Sequence, residues 1–285
     1  TNLNFRKINN ITGWDVCIIA CIVYILTREA TGSFWDCGAF ISSAYKMQVP
    51  HPPGAPFFTL LGRFFIIVFG GTAATAALKV NLLSALGSGF TILFLFWTIT
   101  HFARKLMVKP GQEISLEKII IIMGAGAVGA LAYAFSDSFW FSAVEGEVYG
   151  MSSFFTALVF WAMLKWEHQA DEPHADRWII FIAYMMGLSI GVHLLNLLTI
   201  PAIVMIYYFR RYKSSPWGIF FAFVLGCAIT GVVQIAVIQY TVKAAGAFDI
   251  FFVNSLGMPF NSGSYFFIIL LIALIFFGIR WAKKK

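Results

Sequence analysis

FFTLLGRFFIIVF, residues 57–69, decides the fold, because reading it as a membrane span or as something shorter inverts every helix after it. It is apolar apart from Thr59, Gly62 and a central Arg63. As a helix these 13 residues would rise only about 20 Å, against roughly 30 Å for a bilayer's hydrocarbon core. A short apolar helix with a cation at its centre reads as a re-entrant or interfacial segment. Read so, the chain on either side falls into order.

The chain must be a membrane protein. Hydrophobic residues make up 60% of the 285 and charged residues 12%, and the mean hydropathy is +0.81. A water-soluble domain of this length does not carry that composition. The net charge of +7 is therefore no sign of nucleic-acid binding, since basic residues in such a chain mark the cytoplasmic side and the anionic lipid surface first. The four cysteines, Cys17, Cys21, Cys37 and Cys227, show no CxxC or metal-type spacing. No small-residue cleavage site follows the first apolar run, so that run reads as a retained helix.

Working outward, the spacing predicts spans over about 12–27, 79–103, 118–135 and 151–166. Residues 178–209 are too long for one span and contain Gly191, His193, Asn196 and Pro201, so they read as two short helices meeting near His193. Further spans cover about 217–241 and a final run ending at Arg280. Connections at 28–78, 136–150 and 242–263 then lie outside, and about fifteen of the twenty basic residues fall inside, as the positive-inside rule requires. The expected fold is an all-α polytopic bundle of about eight spans with both termini cytoplasmic. It forms a single domain over 1–285, with interfacial helices and the chemistry in the outer connection 28–78.

That connection contains SFWDCGAFISSAYKMQVPHPPGAP, residues 33–56. Phe40, Ile41, Ala44 and Tyr45 form one helical stripe, suited to a helix in the interface, and His51-Pro52-Pro53-Gly54 should end it. Asp36 is the first site candidate. An ionisable group at the membrane boundary is costly and marks function, while the plainer role of a helix N-cap is equally open to it. Glu145 and Glu147, beside Trp140 and Tyr149, read either as ordinary charges of a solvated loop or as a paired-carboxylate site. His193 and Asn196 either line the same cavity or satisfy each other.

GAGAVG at 124–129 matches a dinucleotide fingerprint in letters alone, since it lies inside an apolar run without the required strand and turn. Small residues at that spacing read as a close helix contact. Asn10-Ile11-Thr12 matches a glycosylation acceptor but falls on the expected cytoplasmic side.

FWDCGxFI, HPPGAP, FSDSFWFSAVEGEVY and GVHLLN together resemble a bacterial membrane family of unknown function related to protein O-mannosyltransferases, within the GT-C glycosyltransferase superfamily. The likeness covers nearly the whole chain. It implies an inverting transferase at the outer face of the bacterial inner membrane, moving mannose or a similar hexose from a polyprenyl-phosphate donor to serine or threonine hydroxyls of exported proteins. It places Asp36 as catalytic base and His51 in a matched motif. His51, Arg63 and Lys243 are then candidates to hold the donor phosphate, and Trp35, Glu145, Glu147, Tyr149, His193 and Asn196 to line the acceptor or sugar side. The lipid-linked sugar is the donor, and neither a nucleotide cofactor nor a metal ligand set is implied. The family carries glutamate where this chain has Ala39, which points to a weakened enzyme. The alternatives are a lipid or glycan acceptor, or a non-catalytic subunit of a larger envelope complex. Transport is disfavoured, because the spans show no inverted repeat and few charges at mid-membrane depth.

Overall fold

A computed structural model describes residues 4–52, 54–109 and 111–283. Among the described residues the chain is helical without a strand. Pro53 of the HPP motif and Lys284 and Lys285 of the terminal cluster lie outside them. The chain divides into two compact units, 1–214 and 215–285.

Among the described residues the first unit contains nine α-helices. They are α1 (Phe5–Thr27), α2 (Cys37–Lys46), α3 (Pro56–Val68), α4 (Ala76–Met107), α5 (Leu116–Ala134), α6 (Asp137–Val144), α7 (Val148–Gln169), α8 (Arg177–Ile190) and α9 (Ile200–Arg211). A 3-10 turn, Leu194–Thr199, joins the last two. Helix α4 is the hub, packing against α1, α2, α3, α5, α6 and α7. Its 32 residues span about 48 Å at the helical rise. One face meets Tyr24, Ile122 and Phe139 through Ile92 and Phe96, and the other meets Phe40, Phe58 and Phe155 through Val80 and Leu83. A third cluster around Trp166 and Met163 joins α7 to α8 and α9. Ile11, Ile18 and Ile22 of α1 face outward, as lipid-facing side chains must in a helix whose backbone polar groups are satisfied internally.

The GAGAVG contact is a packing device. A Cβ at Gly126 would lie 2.5 Å from Thr100 and 2.8 Å from Phe96, and one at Gly129 would lie 2.8 Å from Ile99. Only the missing side chains let α5 approach α4 this closely.

The residues that decided the topology form α3, whose 13 residues make it one of the shorter apolar helices. Its N-cap, Ala55, has no side-chain acceptor. Instead the Gly191 carbonyl accepts from the N–H groups of Phe57 at 2.7 Å and Phe58 at 3.2 Å. The start of α3 is thereby fixed to the α8 corner. Helix α2 stops at Met47, not at the prolines: Met47 is left-handed, and its N–H donates to the Ser43 carbonyl. The prolines only prevent resumption.

Seven helical segments among the described residues are long and apolar enough to cross a membrane. The eight-span expectation also counts α8, which at 14 residues is shorter than the rest. Two expected loops are helical. Residues 136–150 contain α6, and 242–263 contain most of α11 (Thr241–Leu256) in the second unit. That unit begins with α10 (Pro216–Val232), which runs through a π-helical stretch, Val233–Tyr240, into α11. Lys243, Asp249 and Asn254 suggested a loop, but charge does not break a helix. The chain turns only at Gly257, which is left-handed, just ahead of Pro259. The Asp249 carboxylate accepts from the N–H groups of Gly263 at 3.1 Å and Asn261 at 3.3 Å, capping α12 (Ser262–Ala282).

Candidate active site

Asp36 stands at the N-cap position of α2, and its carbonyl accepts from the Phe40 N–H at 3.0 Å. Its side chain makes no capping bond. The plain N-cap role therefore fails for the carboxylate, which instead faces His51, with Oδ2 3.3 Å from Nε2. Both side chains are about half exposed, 58% for Asp36 and 43% for His51. The imidazole leans on Phe40 at 5.5 Å between ring centres, and Phe40 is held by Phe58 at 5.6 Å. A fifteen-residue separation in sequence is thus closed by two aromatic contacts.

Beneath this pair lie Glu145 and Glu147, each only 4% exposed. The solvated-loop reading of these two is overturned by the packing of Gly146. A Cβ there would be 2.8 Å from Asn81 Oδ1 and 3.1 Å from both Ile41 and Val80. Glycine therefore lets the 145–147 turn press into α4 and α2. Asn81 holds the opposite strand of chain, donating from Nδ2 to the carbonyls of Glu29 at 2.7 Å and Thr31 at 3.2 Å. The Glu29 N–H donates to the Val144 carbonyl at 2.9 Å. The connection after α1 and the 145–147 turn are thus sewn together close to Asp36.

Burial sets the electrostatics. It pushes the Glu147 carboxyl above the usual carboxylate range, and repulsion from Glu145 and Asp36 adds to it. The Val148 N–H, which donates to Glu147 Oε2 at 3.1 Å, and His51 oppose the shift. Burial likewise raises Glu145, with Glu29 adding and the Ser33 hydroxyl opposing. Glu145 Oε2 is buried without a hydrogen-bond partner among the described residues. Burial also pushes the Cys37 thiol up, against hydrogen bonds to the Ser33 and Gly146 backbone. Two buried carboxyls with raised pKa values thus lie next to the exposed Asp36–His51 pair, the kind of perturbed cluster that marks a candidate site.

The remaining candidates are distributed as follows. Tyr149 and His193 meet at 5.3 Å between rings, Tyr149 lying two residues after Glu147 in the first turn of α7. The His193 ring accepts from the Leu195 N–H through Nδ1 at 3.2 Å, and burial holds its pKa below the ordinary value. Asn196 is fully buried and does not pair with His193. It donates to Ser189 Oγ at 2.8 Å and accepts from Thr199 at 3.3 Å, closing the α8–α9 corner. Arg63 donates to the Tyr45 carbonyl at 2.7 Å, tying α3 to the last turn of α2. Trp35 is 91% exposed beside Asp36 with a positive φ of 60°. Lys243 belongs to the second unit, its ammonium 5.2 Å from the Tyr240 ring centre.

Sequence reading missed Ser33, Gly146 and Asn81. Only Asn81 carried a signal, an amide embedded in the apolar run of α4. No group of three or more His, Cys, Asp or Glu side chains able to hold a metal ion occurs among the described residues.

Fold and site together define a polytopic helical membrane protein with a cluster of ionisable side chains, Asp36, His51, Glu145 and Glu147, close to the start of α2. The chain belongs to the protein O-mannosyl-transferase TMEM260 N-terminal domain family, whose profile matches residues 36–216. The match begins at Asp36 and ends at the boundary between the two units. Among curated proteins, protein O-mannosyl-transferase tmem260 of Dictyostelium discoideum is 25% identical over 192 residues, covering 65% of this chain and 21% of its own length. Protein O-mannosyl-transferase TMEM260 of Mus musculus is 26% identical over 181 residues, covering 62% of this chain and 23% of its own. The chain thus spans less than a quarter of the length of these relatives. No solved structure matches.

Proposed function

We propose that this chain is the membrane core of a protein O-mannosyltransferase of the GT-C type, inverting at the sugar carbon and drawing on a polyprenyl-phosphate donor. The observation that carries the reading is the Asp36 carboxylate, released from helix capping and set 3.3 Å from His51 above two buried glutamates. The relatives' printed names supply the acceptor class, protein hydroxyls.

In the proposed reaction the acceptor hydroxyl lies against Asp36. As its oxygen forms the new bond to the anomeric carbon, its proton passes to the carboxylate. The bond from that carbon to the donor phosphate oxygen breaks, and the phosphate leaves as an anion that needs little acid assistance. A ring N–H of His51, beside Asp36, donates to that phosphate, and the other four N–H groups of Arg63 are available to the same end. Glu145, Glu147 and Tyr149 line the sugar and acceptor side. A groove of about 400 Å³ between α4, α5 and α7 combines the apolar Leu95, Ala157, Phe160 and Leu195 with hydroxyls of Tyr133 and of threonines and serines on α4 and α7.

The basic clusters Arg104, Lys105 and Arg210, Arg211 end their helices away from Asp36. By the positive-inside rule this supports placing Asp36 at the outer face, in a bacterial inner membrane on the sequence resemblance. Ala39 occupies the third position of α2, a turn from Asp36, where the family's glutamate would add another carboxylate. Transfer from polyprenyl-phosphate mannose to a serine- and threonine-rich peptide, measured in nanodiscs for wild type, Asp36→Asn and Ala39→Glu, tests the reading. Transfer lost in Asp36→Asn supports it. Transfer by Ala39→Glu alone supports a fold whose activity has lapsed in this chain, and transfer by none of the three overturns the enzyme reading.

A further inference from the structure

A cavity of about 950 Å³ lies at the other end of the bundle from Asp36, between α1, α4, α7 and α8. Along α4 its His101 is twenty residues from Asn81, about 30 Å at the helical rise. Its inner wall is tryptophan. Trp97 stacks on Trp161 at 5.6 Å, with Trp14 edge-on to Trp97 at 6.3 Å and Trp178 edge-on to Trp161 at 5.9 Å. Its rim carries six cations, Arg6, Arg104, Lys105, Lys109, Lys165 and Arg210, against two carboxylates, Glu167 and Glu172.

Part of this charge is structural. Lys105 pairs with Glu167 and Arg210 with Asp171, and the Arg104 guanidinium lies 4.9 Å from the Phe5 ring centre. Cations are also expected where α4, α7 and α9 expose terminal carbonyls. Arg6 and Lys109 are surplus to that account, and the Lys165 ammonium sits 5.2 Å from the Trp161 ring centre, at the aromatic wall itself. None of the three has a carboxylate partner among the described residues, and Arg6 and Lys165 lie close enough to repel each other. Like charges held together over an aromatic wall make a site for an anion attached to an apolar body.

We propose that this cavity binds the phosphate headgroup of an anionic membrane lipid, with the phosphate between Arg6, Lys165 and Lys109 and the first part of the lipid chain against Trp97 and Trp161. Its volume falls in the range of small-molecule sites. Basic pockets between spanning helices at the cytoplasmic side recognise lipid phosphates through this combination of charge and apolar wall, and on the topology proposed above this is the cytoplasmic end. The site is separate from the Asp36 cluster, so lipid retention and sugar transfer can fail independently, while its placement at the cytoplasmic end rests on the topology proposed above.

Native mass spectrometry of the chain released from mixed phosphatidylcholine and phosphatidylglycerol tests it. Wild type should retain one phosphatidylglycerol in preference to phosphatidylcholine, and Arg6→Gln/Lys165→Gln should retain it at least tenfold less. A charge-matched Lys7→Gln/Lys213→Gln variant, altered at exposed positions outside the cavity, should behave as wild type. Equal loss in both double variants, or equal retention of the two lipids, would overturn the proposal. Added polyprenyl phosphate should displace phosphatidylglycerol, since both present a phosphate on an apolar chain. If millimolar inorganic phosphate displaces it as well, the cavity takes free phosphate and the lipid assignment fails.

Discussion

Replacing Asp36 by asparagine separates chemistry from stability more sharply than any other change. The substitution keeps the side chain's size and removes one negative charge and the proton acceptor. Among the described residues that carboxylate has one ion-pair contact, with His51 at 3.3 Å, both groups being about half exposed and no capping bond being there to lose. Exposed pairs of this kind contribute about 0.2–1 kcal/mol, and relief of repulsion on Glu147 offsets part of that. Melting should therefore shift by no more than about 4 °C for a unit of this size. Loss of a general base, by contrast, removes about 10²–10⁴ in rate, or roughly 3–5 kcal/mol of transition-state stabilisation. Mannose transfer to a hydroxyl-rich peptide and tryptophan-monitored melting should be measured on one preparation. Full retention of transfer would refute the assignment of Asp36 as base. A fall in melting well beyond 4 °C, with activity lost in proportion to unfolding, would make Asp36 a structural residue instead.

Because folding raises the Glu147 pKa, its contribution to stability is fully present below the ordinary carboxylate pKa and is lost as pH rises through the folded value. Glu147→Gln should thus raise melting at pH 8 more than at pH 5, and an equal effect at both would contradict the burial argument. Gly146→Ala forces a Cβ to within 2.8 Å of Asn81 Oδ1 and should cost about 1–3 kcal/mol, lowering both melting and transfer. Unchanged melting would show that the 145–147 turn is looser than its packing requires. Asp249→Ala removes the acceptor for the Asn261 and Gly263 N–H groups and should cost about 0.5–2 kcal/mol of local stability. Faster amide exchange at 261–264 is the expected sign, and unaltered exchange would rule the cap out.

The sequence by itself determined the membrane class, the brevity of 57–69, the break at His193 and the packing role of GAGAVG. Each follows from composition, length or a local backbone rule, which neighbours in the chain settle alone. It also brought Asp36 and His51 to notice as members of one connection. The tertiary structure decided the rest. Polar letters at 145–147 read as solvated until Gly146 is seen pressed against Asn81, because burial depends on a helix sixty-odd residues earlier in the chain. The charged residues after 241 read as a loop, because hydropathy records side-chain polarity whereas helix continuation depends on the backbone, which breaks only at Gly257. The pairing of Asp36 with His51 required Phe40 and Phe58 to fold α2 back over α3. Contacts between distant segments arise from packing, and packing has no local signature.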